Sequence, residues 1–189
     1  VYGPTSVWPY FYAGTMGYVM RDGINRLRHV KGYSNLGDTF CVALSWSGYL
    51  AGTGSISGVD PREMQTSDLI VIWGGNPVNT QVNVMQHAMA AKKRGATLVV
   101  VDPYRTGTAE KADLHVPVKP GTDGALACAM MHVLFAEGFA DWNYLRQYTD
   151  CPDDLQAHVA TRTPEWASAI TGLSVATIVE FARLYGRST

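Results

Sequence analysis

Asp68-Leu-Ile-Val-Ile-Trp-Gly-Gly-Asn-Pro-Val-Asn-Thr80, Thr97-Leu-Val-Val-Val-Asp-Pro-Tyr-Arg-Thr106 and Leu114-His-Val-Pro-Val-Lys-Pro-Gly-Thr-Asp-Gly124 decide the fold. Each begins as a short apolar run and breaks into a polar loop. Continuous apolar runs, rather than alternating ones, mark parallel strands buried on both faces. Between the first two, Gln81 to Arg94 has helical spacing, and Gly95 stops it. Strand, helix and strand make a βαβ unit, whose crossover is expected to be right-handed. The expected class is therefore α/β: a Rossmann-like, open, mostly parallel sheet with flanking helices. In such sheets ligands bind in the crevice outside the carboxyl ends of the strands.

Working outward, Pro117 makes the third strand an edge or terminal one. Thr122 or Asp123 is expected to cap a helix that runs to about Ala136, with Leu126, Ala129, Met130, Val133 and Leu134 inward and Gly138 beyond its end. In the second helix, Val82, Met85 and Met89 are expected to share a face. The rest reads as helical: Asp141 to Tyr148, Asp153 to Ala160, Pro164 to Ile170 and Ser174 to Leu184, with Thr163 and Ser174 as N-caps. Upstream, helical spacing covers Thr15 to His29, with Gly32 as the stop, and Val42 to Leu50. Asp60-Pro61 reads as an N-cap with proline at the first helical position. Three parts follow: a Gly- and aromatic-rich helical segment (1–60), a nucleotide-binding βαβ core (67–137) and a helical remainder (138–189).

The totals remove several function classes. A 189-residue chain that is 47% hydrophobic has material for a sizeable core. A net charge of -1 carries no electrostatic footprint for nucleic acid. No apolar run approaches the ~18–20 residues needed to cross a membrane, so no membrane insertion is expected. Cys41, Cys128 and Cys151 are too far apart for a CxxC site, and the five histidines show no zinc-ligand spacing, so all are expected to be structural on spacing alone. The chain opens at Val1 rather than Met, which reads as part of a longer protein.

The chemistry then rests on the three loops. Small residues after a strand let backbone N–H groups approach a ligand, and a helix start adds positive potential for phosphate. Gly74, Gly75 and Asn76 before the helix at Gln81, and Gly121 and Thr122 before the helix at Asp123, both fit. Asp102 stands where an acidic residue accepts from ribose hydroxyls or a base edge, and Arg105 and Thr106 suit phosphate. Asn76-Pro77 and Asp102-Pro103 are also common turn dipeptides, so each loop alone reads first as a plain turn, and only the three together favour a nucleotide site. No Gly-x-Gly-x-x-Gly follows a strand (Gly52-Thr-Gly54 does not), and no P-loop or Gly-x-Ser-x-Gly is present.

Taken together in order, Leu69 to Pro77, Gly95 to Pro103 with Arg105-Thr-Gly-Thr-Ala109, and Ala112 to Leu126 resemble the molybdopterin oxidoreductase family, the dimethyl sulfoxide reductase-type enzymes. Ala13-Gly-Thr-Met-Gly17, Arg26-Leu27 and Ile170-Thr-Gly-Leu173 resemble it too, so the likeness spans nearly the whole chain.

The resemblance implies a cofactor of two molybdopterin guanine dinucleotides holding molybdenum or tungsten. It implies that Trp73, Gly74, Gly75, Asn76, Pro77 and Thr80 line the nucleotide half of one dinucleotide. Asp102, Pro103, Arg105 and Thr106 would meet guanosine and phosphate, and Gly121, Thr122 and Asp123 would continue the pocket. It implies Cys41 as the metal ligand and catalytic residue, a soft thiolate suited to such a metal. Val42 follows Cys41 where Cys-ligated formate dehydrogenases typically carry His, which disfavours formate. The resemblance further implies the central part of a larger multidomain catalytic subunit. An iron–sulfur cluster, the other domains of that subunit and electron-transfer subunits are expected outside this stretch. The expected substrate is small: formate, or a sulfur or arsenic oxyanion. A nucleotide-binding module without redox activity is the other reading.

Overall fold

In the computed structural model, residues 2–9, 18–35 and 42–188 are described. Two units are distinguished, Val1–Gly58 and Val59–Thr189.

The first unit contains α1 (Tyr18–Lys31) and α2 (Val42–Thr53). Arg28, His29 and Lys31 occupy the last turn of α1, where cations complement the helix dipole. Gly32 follows with φ +66, the left-handed stop its position predicts. None of the described residues of this unit belongs to the buried core, although α2 includes Leu44, Trp46 and Leu50.

The second unit opens on a short 3-10 helix, Pro61–Thr66, at the helix start that Asp60-Pro61 predicts. Its cap is as predicted: the Asp60 side chain accepts from Arg62 N–H. Three strands follow, β1 (Leu69–Trp73), β2 (Thr97–Val101) and β3 (Leu114–Val116), in a parallel sheet ordered β1-β2-β3. β3 pairs only with β2 among the described residues, as Pro117 predicts, and ends at Val116, to whose carbonyl Val118 N–H turns back.

Successive strand residues face opposite sides of the sheet. Val99, Val101, Val116 and the partly buried Leu69 and Val71 pack on one side, against α5 (Asp123–Ala136), α8 (Pro164–Thr171) and α9 (Val175–Arg187). Ile70, Leu98 and Val100 pack on the other, against Met85, Ala88 and Ala91 of α4 (Val82–Lys93). The result is a helix–sheet–helix sandwich, the α/β class read from the apolar runs. α6 (Trp142–Tyr148) and α7 (Pro152–Val159) complete the helical end. Thr163 and Ser174 cap α8 and α9 as predicted, accepting from Trp166 and Thr177 N–H.

Three local expectations change. The chain after β1 does not run straight into α4: it first makes α3 (Pro77–Thr80), one turn that breaks at Gln81, whose φ is -145 and ψ 66. Val82, expected to share a face with Met85 and Met89, is exposed, because the buried face of α4 is set by Met85, Ala88 and Ala91. Thr122 is at the N-cap of α5, but its hydroxyl donates to Lys119 O at 2.6 Å instead of capping the helix. Among the described residues no single helix is long and apolar enough to cross a membrane.

Candidate functional site

The parallel register sets Trp73 beside Val101, and Val101 beside Val116. The three strands therefore end level. The ladder continues for one more residue: Gly74 N–H donates to Val101 O at 2.9 Å and Asp102 N–H to Val116 O at 3.3 Å. Beyond this the three polar loops leave the same edge of the sheet.

The first loop is held at both ends. Trp73, 38% exposed, rests its ring 6.1 Å from that of Phe181 and donates its indole N–H to Asp123 Oδ1 at 2.7 Å. Gly74 has φ +66, a conformation in which a side chain is strained. Pro77 is buried. Thr80 donates to Asn76 O at 3.0 Å, closing α3 on itself.

The Asn76 side chain leaves its own helix. Asparagine at an N-cap ordinarily uses its side-chain oxygen to accept from the first helical N–H groups. Here Asn76 Oδ1 instead accepts from the Thr108 hydroxyl at 2.7 Å, and Thr108 Oγ1 accepts from Val78 N–H at 3.2 Å. Thr108 is fully buried. Gly107 approaches Val78 so closely that an added Cβ would stand 3.4 Å from Val78 Cγ1.

In the second loop Asp102 Oδ1 accepts from Tyr104 N–H at 2.8 Å, the Asx turn that Asp-Pro favours. His115 Nε2 lies 2.8 Å from Asp102 O; a carbonyl only accepts, so Nε2 carries the proton. Thr106 Oγ1 accepts from Ala109 N–H at 3.2 Å. Arg105 is exposed and makes no ion pair among the described residues. In the third loop Gly121 has φ +79, and Asp123 opens α5.

The structure thus joins Trp73 to Asp123 and Asn76 to Thr108. It shows no hydrogen bond joining Asp102, Arg105 or Gly121 to another residue of the predicted set. Cys41 lies outside the described residues, and no group of three or more His, Cys, Asp or Glu gathers as a metal site among them. Cys128 is half-buried and Cys151 exposed. Thr108 and His115 were not singled out from sequence. Their partners are 32 and 13 residues away, so only the tertiary fold brings them in.

Chemically, the edge offers donors and carboxylates but no nucleophile with an adjacent base. Asp102 and Asp123 each commit one oxygen internally, and the second makes no hydrogen bond among the described residues. Beyond the adjoining residues no heavy atom lies within 4 Å of where a Cβ would stand on Gly74 or Gly121, so the space beside both is open.

The comparisons agree with the resemblance. A molybdopterin oxidoreductase family model matches residues 16–163, and the chain belongs to that family. It is 37% identical over 188 residues to a probable oxidoreductase, YoaE, of Bacillus subtilis (strain 168), covering 99% of this chain and 28% of that protein. It is 34% identical over 127 residues to formate dehydrogenase H of Escherichia coli (strain K12), covering 67% of this chain and 18% of that protein. Among solved structures, acetylene hydratase from Pelobacter acetylenicus matches with a TM-score of 0.71 at 24% identity, over 88% of this chain and 23% of that one, a likeness of fold. The chain spans less than a third of the length of these relatives.

Proposed function

We propose that this chain is the part of a molybdopterin-dependent oxidoreductase subunit that holds the guanine dinucleotide of its cofactor. The observation that carries the reading is the level ending of three parallel strands, with their loops tied at one edge through Trp73–Asp123 and Asn76–Thr108. Family membership makes a molybdopterin cofactor with molybdenum or tungsten the ligand to test there.

The residues fit such a group. The free oxygens of Asp102 and Asp123 accept from the N–H edge of guanine and from ribose hydroxyls, which are donors. Arg105, Thr106 and the loop backbone around Gly74, Gly75 and Gly121 face phosphate as donors. Trp73, Pro77 and Thr80 keep the first loop in shape, Pro103 the second, and Thr122 the third. When bound, the metal centre supplies the redox chemistry, exchanging electrons with a small substrate; the protein supplies binding, orientation and electrostatics. Cys41 is the proposed metal ligand. Residues 67–137 are the proposed nucleotide-binding core, 1–60 the segment bearing Cys41, and 138–189 its helical support.

The substrate class is formate or a sulfur or arsenic oxyanion. Relatives named as formate dehydrogenases and as a probable dimethyl sulfoxide reductase chain support a small substrate of this kind. Two dinucleotides, an iron–sulfur cluster beyond this stretch, other domains of the subunit and electron-transfer subunits complete the proposal.

The test is the composition of the purified full-length subunit. Stoichiometric molybdenum or tungsten, with guanine nucleotide released by acid hydrolysis, is expected. Nucleotide without metal would favour a binding module without redox activity, and neither would overturn both readings. A substrate panel with an artificial electron carrier then selects the substrate.

A further inference from the structure

We propose that Thr108 is a positioning residue that orients the Asn76 amide, so that its NH2 group faces the crevice as a donor to a ligand oxygen. The inference rests on the proposed dinucleotide site. Its starting point is the chain of two hydrogen bonds from Val78 N–H to Thr108 Oγ1, and from the Thr108 hydroxyl to Asn76 Oδ1.

A hydroxyl has one proton. Once Thr108 accepts from Val78 N–H, its single O–H is directed elsewhere, and it meets an acceptor. Of the two ends of an amide only the oxygen accepts. Thr108 therefore selects one of the two orientations that the Asn76 side chain has available, with Oδ1 inward and Nδ2 on the other branch. The flipped amide could still donate to the second lone pair of Thr108 Oγ1, but it would leave the hydroxyl proton of this fully buried residue without its acceptor.

Two further observations place Nδ2. It makes no hydrogen bond among the described residues, and no buried side-chain nitrogen or oxygen among them lacks a partner, so Nδ2 reaches the surface. Asn76 also stands at the start of the loop beyond β1, two residues past Gly74, whose surroundings are open. An amide with fixed direction and two unspent N–H groups selects an acceptor: a phosphate or carbonyl oxygen, not a hydroxyl proton or an amine. The oxygen that would otherwise cap α3 is replaced by Thr108 Oγ1, so the helical turn keeps its cap while the asparagine is released for the ligand.

The test uses the full-length subunit and reads guanine nucleotide per protein, with thermal stability of the same preparations beside it. Thr108→Ser retains the hydroxyl and is expected to keep wild-type nucleotide content. Thr108→Val removes both hydrogen bonds and is expected to lower it about tenfold, the scale of one lost hydrogen bond to a charged group. Because Thr108→Val also removes a cap, Asn76→Asp is the deciding variant. A carboxylate still accepts from Thr108, so stability should stay near wild type, but an oxygen replaces the NH2 and nucleotide content should fall at least as far. Wild-type nucleotide content in Asn76→Asp would overturn the proposal and leave the nucleotide site standing. A wild-type subunit that carries no guanine nucleotide would overturn the site and this role together.

Discussion

Trp73 and Asp123 are fifty positions apart, yet the indole N–H of one donates to a carboxylate oxygen of the other at 2.7 Å. The bond ties the end of β1 to the first residue of α5, two elements on which two of the loops depend. Trp73→Phe keeps a ring against Phe181 but removes the donor together with part of the ring surface. A loss of about 1 kcal/mol is expected, below the ~1.5–3 kcal/mol of a bond to a charged group, because both side chains are exposed enough to rehydrate. A double-mutant cycle with Asp123→Ala isolates the pair, and a coupling energy near zero would show that the bond adds nothing.

Asp102 separates a structural from a binding role. In Asp102→Asn the amide oxygen still accepts from Tyr104 N–H, so the Asx turn should persist. The negative charge and the second acceptor are lost. Guanine nucleotide content of the full-length subunit is expected to fall about tenfold, with little change in melting temperature. A large drop in melting temperature would instead mark Asp102 as part of the scaffold.

Cys41→Ala addresses the metal. The variant full-length subunit should retain guanine nucleotide and lose turnover, since the dinucleotide loops are untouched. Wild-type turnover would remove Cys41 from the site.

Gly186 in α9 is a packing constraint. A Cβ there would stand 2.5 Å from Phe139 Cγ and 2.9 Å from Leu134 Cδ2, inside any real contact distance. Alanine favours helices over glycine by about 1 kcal/mol. Overpacking costs about 1–3 kcal/mol. The base of an aromatic ring yields less readily than the tip of a flexible chain, so Gly186→Ala is expected to destabilise. A denaturant midpoint equal to or above wild type would show that Phe139 moves aside.

The Arg183–Glu137 pair sets a pH dependence. Arg183 Nη2 lies 2.8 Å from Glu137 Oε1, and its hydrogen bonds hold the Glu137 carboxyl below the ordinary value of 4.5. A carboxylate lowered in the folded state stabilises the fold fully above the unfolded value and loses that contribution as pH falls through the folded one. Glu137→Gln should therefore lower stability at neutral pH and converge on wild type in acid. A difference that is the same at both pH values would mean that the pair contributes nothing.

Much of the scaffold was legible because local rules agreed with the global fold. The apolar runs at 69–73 and 97–101 matched β1 and β2 because parallel strands packed on both faces read as near-continuous apolar runs. Thr163 and Ser174 capped as read, because a cap is settled within a few residues. Thr122 did not, because Lys119 O competes for its hydroxyl. The break at Gln81 and the exposure of Val82 escaped because the buried face of α4 depends on which residues meet the sheet.

Sequence by itself determined the sheet, its parallel sense and the family, since each rests on residue order and on the side-chain pattern along single elements. Only the tertiary structure decided how the loops become a site. The partners of Trp73, Asn76 and Asp102 include Asp123, Thr108 and the histidine on β3, distant in sequence and neighbours only once three strands end level. A hydrogen bond is directional and short, so whether a polar residue is a turn, a clasp or a ligand contact depends on what the fold sets within about 3 Å of it.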